Sequence, residues 1–221
     1  HFSDLQTIND DRVQFTWQVP WHEHQNMEIF GYVVSGSSHH VDSLGNDVEV
    51  PAGAVQRMSA GTGLRHTEGN AGTEQCRYLQ LWIHTNQQDV DPRWNWHQFT
   101  KEDKLNKFCN VTEKLPIYAD ARLLAGIFTE EFTYEIDPNR RYYMYIVSGS
   151  GEGYIEGDGF MYESESVISI TPTEESEIIF ENEELGEEEG GDIGVSIDDI
   201  KTKWVEVVKT SGVRFVNAVG W

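Results

Sequence analysis

The stretch "YVVSGSSHHVDSLGNDVEV" spans Tyr32–Val50, and "YIVSGSGEGYIEGDGFMYE" spans Tyr145–Glu163, 113 positions further on. Both read strand, Ser-Gly-Ser, strand, turn, strand. Self-similarity at that period predicts two copies of one β-rich unit. Strand-length segments rich in Val, Ile, Tyr and Phe recur around each copy. "EIFGYVVSG", "VEVPAG" and "RYLQLWI" belong to the first, and "RYYMYIVSG", "EGYIEG", "ESVISI" and "SEIIF" to the second. "DSLGND" (Asp42–Asp47) is a hairpin turn in which Gly45 and Asn46 suit positive φ. Helical periodicity is scarce. The best candidate is "DDIKTKWVEVVKT" (Asp198–Thr210), where Ile200, Trp204, Val207 and Val208 fall on one face behind an Asp cap. The polar run Asp89–Phe108 reads as a linker. The expectation is an all-β chain of two tandem barrels with few short helices, divided into residues 1–100 and 101–221.

Composition narrows the function. Hydrophobic residues make up 38% of 221, enough for packed cores. The 38 acidic and 16 basic residues give a net charge of −22, which repels DNA, RNA and anionic membranes. No Lys or Arg lies between Tyr142 and Ile200, and Glu181–Asp192 is dense enough in acid to predict a solvated loop. No apolar run is long enough for a membrane-spanning helix. The opening "HFSDLQTINDDRVQ" has no signal-peptide pattern. Cys76 and Cys109 form no metal motif or disulfide framework and read as free thiols of a reducing cytoplasm.

All eight histidines, among them His22, His24, His39, His40, His66, His84 and His97, lie in the first half. On a strand, residues i and i+2 share a face. His22 and His24 therefore point the same way, as do His66 and Glu68. If the two segments are adjacent antiparallel strands, three imidazoles and one carboxylate converge. That set suits a divalent transition metal with one or two coordination positions left open for substrate or O₂. HxH alone is a common chance pair; HxE some forty residues later makes the pattern specific. His39 and His40 read as polar strand residues, His84 as a strand-end surface residue, and His97 as part of the linker. Met58, Gln80 and Trp82 are candidates to line a cavity, the last two on one face. At the 113-residue offset His22, His24 and His66 fall on Glu135, Asp137 and Ile179, so no histidine site is expected in the second half.

"HEHQNMEIFGYVVSG", "HHVDSLGNDVEVPAGAVQRMSAGTGLRHTEGN" and "LQLWI", with "LQTINDDRV" and "DPRWNWHQF", resemble the pirin family and its bacterial quercetinase-type members. The resemblance is dense from about Phe2 to Phe99. It implies a bicupin, two double-stranded β-helices, with the metal in the N-terminal barrel. It implies His22, His24, His66 and Glu68 as ligands and iron(II) as the metal, with Mn, Ni, Co, Cu and Zn as alternatives. Glu28 matches the cupin-motif glutamate, which is not a ligand in pirin-like sites. Glu23, between the two histidines, replaces the usual proline and should alternate outward.

Three functions compete. The first is a metal-dependent dioxygenase that opens flavonols or related enol-bearing aromatics with O₂, Glu68 taking the substrate proton as general base. The second is a non-enzymatic redox-sensing iron protein that acts on transcription through a protein partner, nuclear in a eukaryote and otherwise cytoplasmic. The third is a cupin isomerase or lyase. The fold alone does not choose among them; a wide, aromatic-lined cavity above the metal would favour the first.

Overall fold

The computed structural model describes residues 3–156, 158–172, 175–182 and 203–209. In chain order the first half carries β1 (Leu5–Val13), β2 (Gln18–His24), β3 (Met27–Ser35), β4 (Ser37–Asp42), β5 (Asp47–Pro51), β6 (Ala54–Ser59), β7 (Leu64–Asn70), β8 (Cys76–His84) and β9 (Arg93–Gln98). Beyond these lie α1 (Lys101–Lys104), β10 (Cys109–Asn110), α2 (Val111–Lys114), β11 (Arg122–Ile127), β12 (Phe132–Ile136), β13 (Arg141–Ser148), β14 (Gly151–Ile155), β15 (Asp158–Tyr162), β16 (Val167–Ile170), β17 (Ser176–Asn182) and β18 (Lys203–Lys209). The described residues are mainly antiparallel strand, with two one-turn helices.

Two compact units result. One comprises His1–Thr100 and Val111–Ala121, the other Lys101–Asn110 and Arg122–Trp221. Each is built from two sheets of matching order. The first has β1-β8-β3-β6-β9 and β2-β7-β4-β5; the second has β10-β11-β18-β13-β16 and β12-β17-β14-β15. Strand for strand, β1 to β8 correspond to β11 to β18, the double-barrel arrangement expected from the repeat. Both sheets of the first unit feed its core. Ile29 and Met58 come from one sheet and Leu64 from the other, while Val13, Val33, Ala54 and Tyr78 meet Val50 across the same gap. Fully buried side chains such as Phe30, Leu64, Leu79 and Leu81 each contribute about 1.5–3 kcal/mol of apolar burial.

Two expectations fail. The helix predicted at Asp198–Thr210 is, over Lys203–Lys209, a strand between β11 and β13. A four-residue apolar spacing also fits a strand rich in Val, and pairing on both edges satisfies every ladder group that a helix would have bonded internally. The rest of that helix lies outside the described residues, as does the acidic run beyond Asn182. The segment Asp89–Phe108 is not a plain linker: β9 pairs with β6 along its length, Ala54 to Gln98 through Ser59 to Arg93. The indoles of Trp94 and Trp96 drive this, packing on the first unit's core.

The β4–β5 turn is organised by Asp42. Its buried carboxylate accepts from the backbone N–H groups of Leu44 (2.9 Å) and Asn46 (3.1 Å) and from Asn46 Nδ2 (2.8 Å). Gly45 adopts φ +92°, whereas Asn46 does not need positive φ.

Candidate metal centre

β2 pairs antiparallel with β7, and the register places His22 opposite His66. The pairing carries a bulge between Val19 and His22, which adds one residue to β2 and re-aims the side chains beyond it. Three imidazoles converge. Ring centroids are 4.9 Å apart for His22 and His24, 4.3 Å for His22 and His66, and 5.1 Å for His24 and His66. One nitrogen from each lies within 4.8 Å of the others. His22 Nδ1 faces the Pro20 carbonyl at 2.9 Å. A carbonyl only accepts, so Nδ1 carries the proton and Nε2 keeps its lone pair. His24 Nε2 and both nitrogens of His66 are buried without a hydrogen-bond partner. Unpaired polar atoms are costly in a core, and a shared cation would take one lone pair from each imidazole. The donor set therefore fits a divalent transition metal.

The electrostatics agree. Burial, reinforced by His22, pushes the His24 imidazole down to about 4. Burial and the neighbouring imidazoles of His22, His40 and His24 drive His66 far below the ordinary histidine range. These rings are neutral near pH 7, as metal coordination needs.

Glu68 lies beside this cluster in a second, overlapping group with His66 and His40. It is fully enclosed, and burial raises its pKa against the pull of its Tyr78, His22, Gln80 and Gln56 neighbours. Tyr78 Oη donates to Glu68 Oε2 at 2.9 Å, Gln56 Nε2 donates to the same oxygen at 3.2 Å, and Gln80 Nε2 donates to Oε1. Gly31 makes room for this, because a Cβ there would overlap the Tyr78 hydroxyl.

His40, expected as a polar strand residue, is instead buried. It stacks on Trp94 at 4.4 Å and 7°, and its ring centroid lies 5.3 Å from that of His66. Its Nε2 donates to Asp42 Oδ2 at 3.1 Å, leaving Nδ1 unpartnered. His39 is on the surface, 2.7 Å from Asp47. His84 is exposed at the end of β8; His97 is exposed on β9 with its ring against Phe99. Glu23 points outward. Glu28 is engaged elsewhere: Ser59 Oγ donates to it at 2.7 Å, and burial raises its pKa against that bond and the nearby Arg57 and Arg93. Met58 packs in the core with Ile29 and Leu64, whereas Gln80 and Trp82 face the site. Sequence reading missed Gln56, Tyr78 and Trp94. Tyr78 was accessible to it, since alternation along β8 puts Tyr78 on the face of Gln80 and Trp82.

A cleft of about 530 Å³ opens onto the centre, lined among others by Arg12, Trp17, His22, Glu68, Tyr78 and Trp82. In the second unit the corresponding positions are apolar. Phe180 pairs with both Gly153 and Phe132, as Glu68 pairs with His40 and Val19. Tyr134, Ile136 and Ile178 then take the places of His22, His24 and His66, and they join Phe180 in the core cluster. The ungapped offset pointed one residue away because it ignored the β2 bulge, which shifts His22 and His24, and the β14–β15 turn, one residue shorter than β4–β5, which shifts His66.

Comparison with known proteins agrees with this geometry. A family model described as Pirin matches residues 1–83, and one described as quercetinase C-terminal cupin domain matches residues 110–181. A pirin-like protein of Caulobacter vibrioides is 35% identical over 190 residues, covering 79% of this chain and 81% of the relative. The chain belongs to the pirin family. A second pirin relative, named quercetin 2,3-dioxygenase, from Escherichia coli K12, is 33% identical over 188 residues, covering 80% and 81% of the two chains. The crystal structure of the bacterial pirin YhhW from Escherichia coli in complex with nickel(II) superposes with a TM-score of 0.75 at 26% identity, covering 95% of this chain and 83% of the other. No helix among the described residues is long and apolar enough to cross a membrane.

Proposed function

We propose that this pirin is a metal-dependent dioxygenase that opens flavonols or related enol-bearing aromatics with O₂ and releases CO. His22, His24, His66 and Glu68 would hold the metal, for which we propose iron(II). When bound, the metal supplies a Lewis acid and a one-electron couple. The chain's own residues do the rest. His22 presents Nε2 because Pro20 fixes its tautomer. Glu68, whose burial raises its affinity for a proton, accepts the proton of the substrate's enolic hydroxyl. Trp17 and Trp82 line the cleft and offer aromatic surface to a planar substrate. The second unit, with Tyr134, Ile136, Ile178 and Phe180 in a packed core, serves as a structural partner.

The observation that carries this reading is the cleft: about 530 Å³, aromatic-lined, and continuous with His22 and Glu68. A regulator needs no such volume. The relatives named quercetin 2,3-dioxygenase support the substrate class. The test is incubation of iron(II)-loaded protein with quercetin, with and without O₂. Aerobic loss of flavonol absorbance with stoichiometric CO supports the reading. Turnover that is absent, or equal under both atmospheres, refutes it.

A further inference from the structure

Two tryptophans lie one hydrogen-bonded residue away from the proposed ligand Glu68, and each has a polar contact of fixed direction. An indole N–H can only donate. Trp82 Nε1 donates to Gln80 Oε1 at 2.7 Å, and Trp94 Nε1 donates to Gln56 Oε1 at 3.0 Å. Each contact commits the amide carbonyl to the indole and turns the NH₂ the other way, towards Glu68. Gln80 Nε2 then donates to Oε1 and Gln56 Nε2 to Oε2. Gln56 Nε2 also reaches Tyr78 Oη at 2.6 Å, so that oxygen accepts and its own proton goes to Glu68 Oε2. With either amide reversed, a carbonyl oxygen would face a carboxylate oxygen, two acceptors in contact.

We propose that Trp82 and Trp94 are positioning residues of the metal centre: their N–H groups set the polarity of Gln80 and Gln56, and through them hold Glu68 oriented as an acceptor-only carboxylate. The proposal rests on the reading of Glu68 as a ligand. It explains why the donors to Glu68 come from two strands, β6 and β8, of the sheet that also carries Trp82 on β8 and Trp94 on β9. The competing explanation is ring packing, since Trp82 lies edge-on to His24 at 4.9 Å and Trp94 stacks on His40.

Phenylalanine keeps the ring and removes the donor, so it separates the two. Nickel(II) affinity is measured on the full chain by competition with a chromophoric chelator, with His22→Ala as a control. Binding of one nickel by the parent, weakened in His22→Ala, supports the centre itself. The expected result is then about tenfold weaker binding for Trp82→Phe and for Trp94→Phe, the low end of what supporting residues contribute. In a Gln80→Ala background, Trp82→Phe should have no further effect, because the link it acts through is gone. Parent-like affinity of both Phe variants overturns the proposal, as does an undiminished Trp82→Phe effect in the Gln80→Ala background, which would assign the effect to packing. A parent that binds no nickel, or a His22→Ala variant that binds it equally well, overturns the centre and the proposal together and is distinct from either. Should a Phe variant fail to fold, hydrogen exchange in the parent decides. Slow exchange of both indole N–H groups and both glutamine amides supports the lock, and free exchange of the indole protons overturns it.

Discussion

The order of stability between the parent and His66→Leu should reverse between metal-free and metal-loaded conditions. His66 is 2% exposed, and neither of its ring nitrogens has a partner. Each buried polar atom left unsatisfied costs about 1–3 kcal/mol. Leucine has a similar volume and no polar atoms, so in the presence of chelator the variant should be more stable than the parent by roughly 2 kcal/mol. For a unit of this size that is a rise in Tm on the order of 5–10 °C. A ligand that binds only the folded state adds about 2.7 kcal/mol at a hundredfold excess over its Kd. The parent should gain that increment with nickel(II) or iron(II); the variant, lacking the central imidazole, should gain none. The assay is thermal denaturation monitored by circular dichroism, with chelator and with saturating metal. A variant less stable than the parent in chelator, or one that retains the metal-induced gain, would refute the argument that the His66 imidazole is kept unpaired for a cation.

The metal-free protein should lose stability as pH falls below about 6.5, through the value near 4 to which His24 is pushed. A base whose folded pKa is lowered binds more protons when unfolded, so acid favours unfolding across that window; urea titrations from pH 7.5 to 4.5 check it, and a flat profile contradicts it. Gly31→Ala should displace the Tyr78 hydroxyl from Glu68, because the added methyl overlaps it; the expected cost is about 1–3 kcal/mol with weakened metal affinity, and parent-like values for both would be contrary. Asp42→Ala leaves the donors of Leu44, Asn46 and His40 without their acceptor. A loss above about 3 kcal/mol is expected in chemical denaturation, and a change below about 1 kcal/mol would count against the turn as an organising element. Truncation before Lys203 removes the strand between β11 and β13. Limited proteolysis should then degrade residues 122–182 rapidly while the first unit stays resistant; equal resistance of both would count against a structural role for that strand.

Much of this was legible in the sequence because the covalent chain fixes it. Alternation along a strand is a property of the pleat, so His22 and His24, and His66 and Glu68, share faces wherever their strands go. Likewise, the repeat and its turns determined a double β architecture with the histidine chemistry confined to the first copy. What the tertiary structure alone decided is everything that depends on pairing across distance. The bulge in β2 puts Tyr134 and Ile136 where His22 and His24 stand in the first unit, and a β14–β15 turn one residue shorter than β4–β5 puts Ile178 in the place of His66. Pairing on both edges makes Lys203–Lys209 a strand against its helical spacing. Trp94, in a run that reads as a linker, reaches His40 and Gln56 only because β9 docks on β6. A local sequence sets which way each side chain points from its own strand. Which strands lie side by side, and in what register, is set by the burial of the whole chain, and that arrangement brings the groups around Glu68 together.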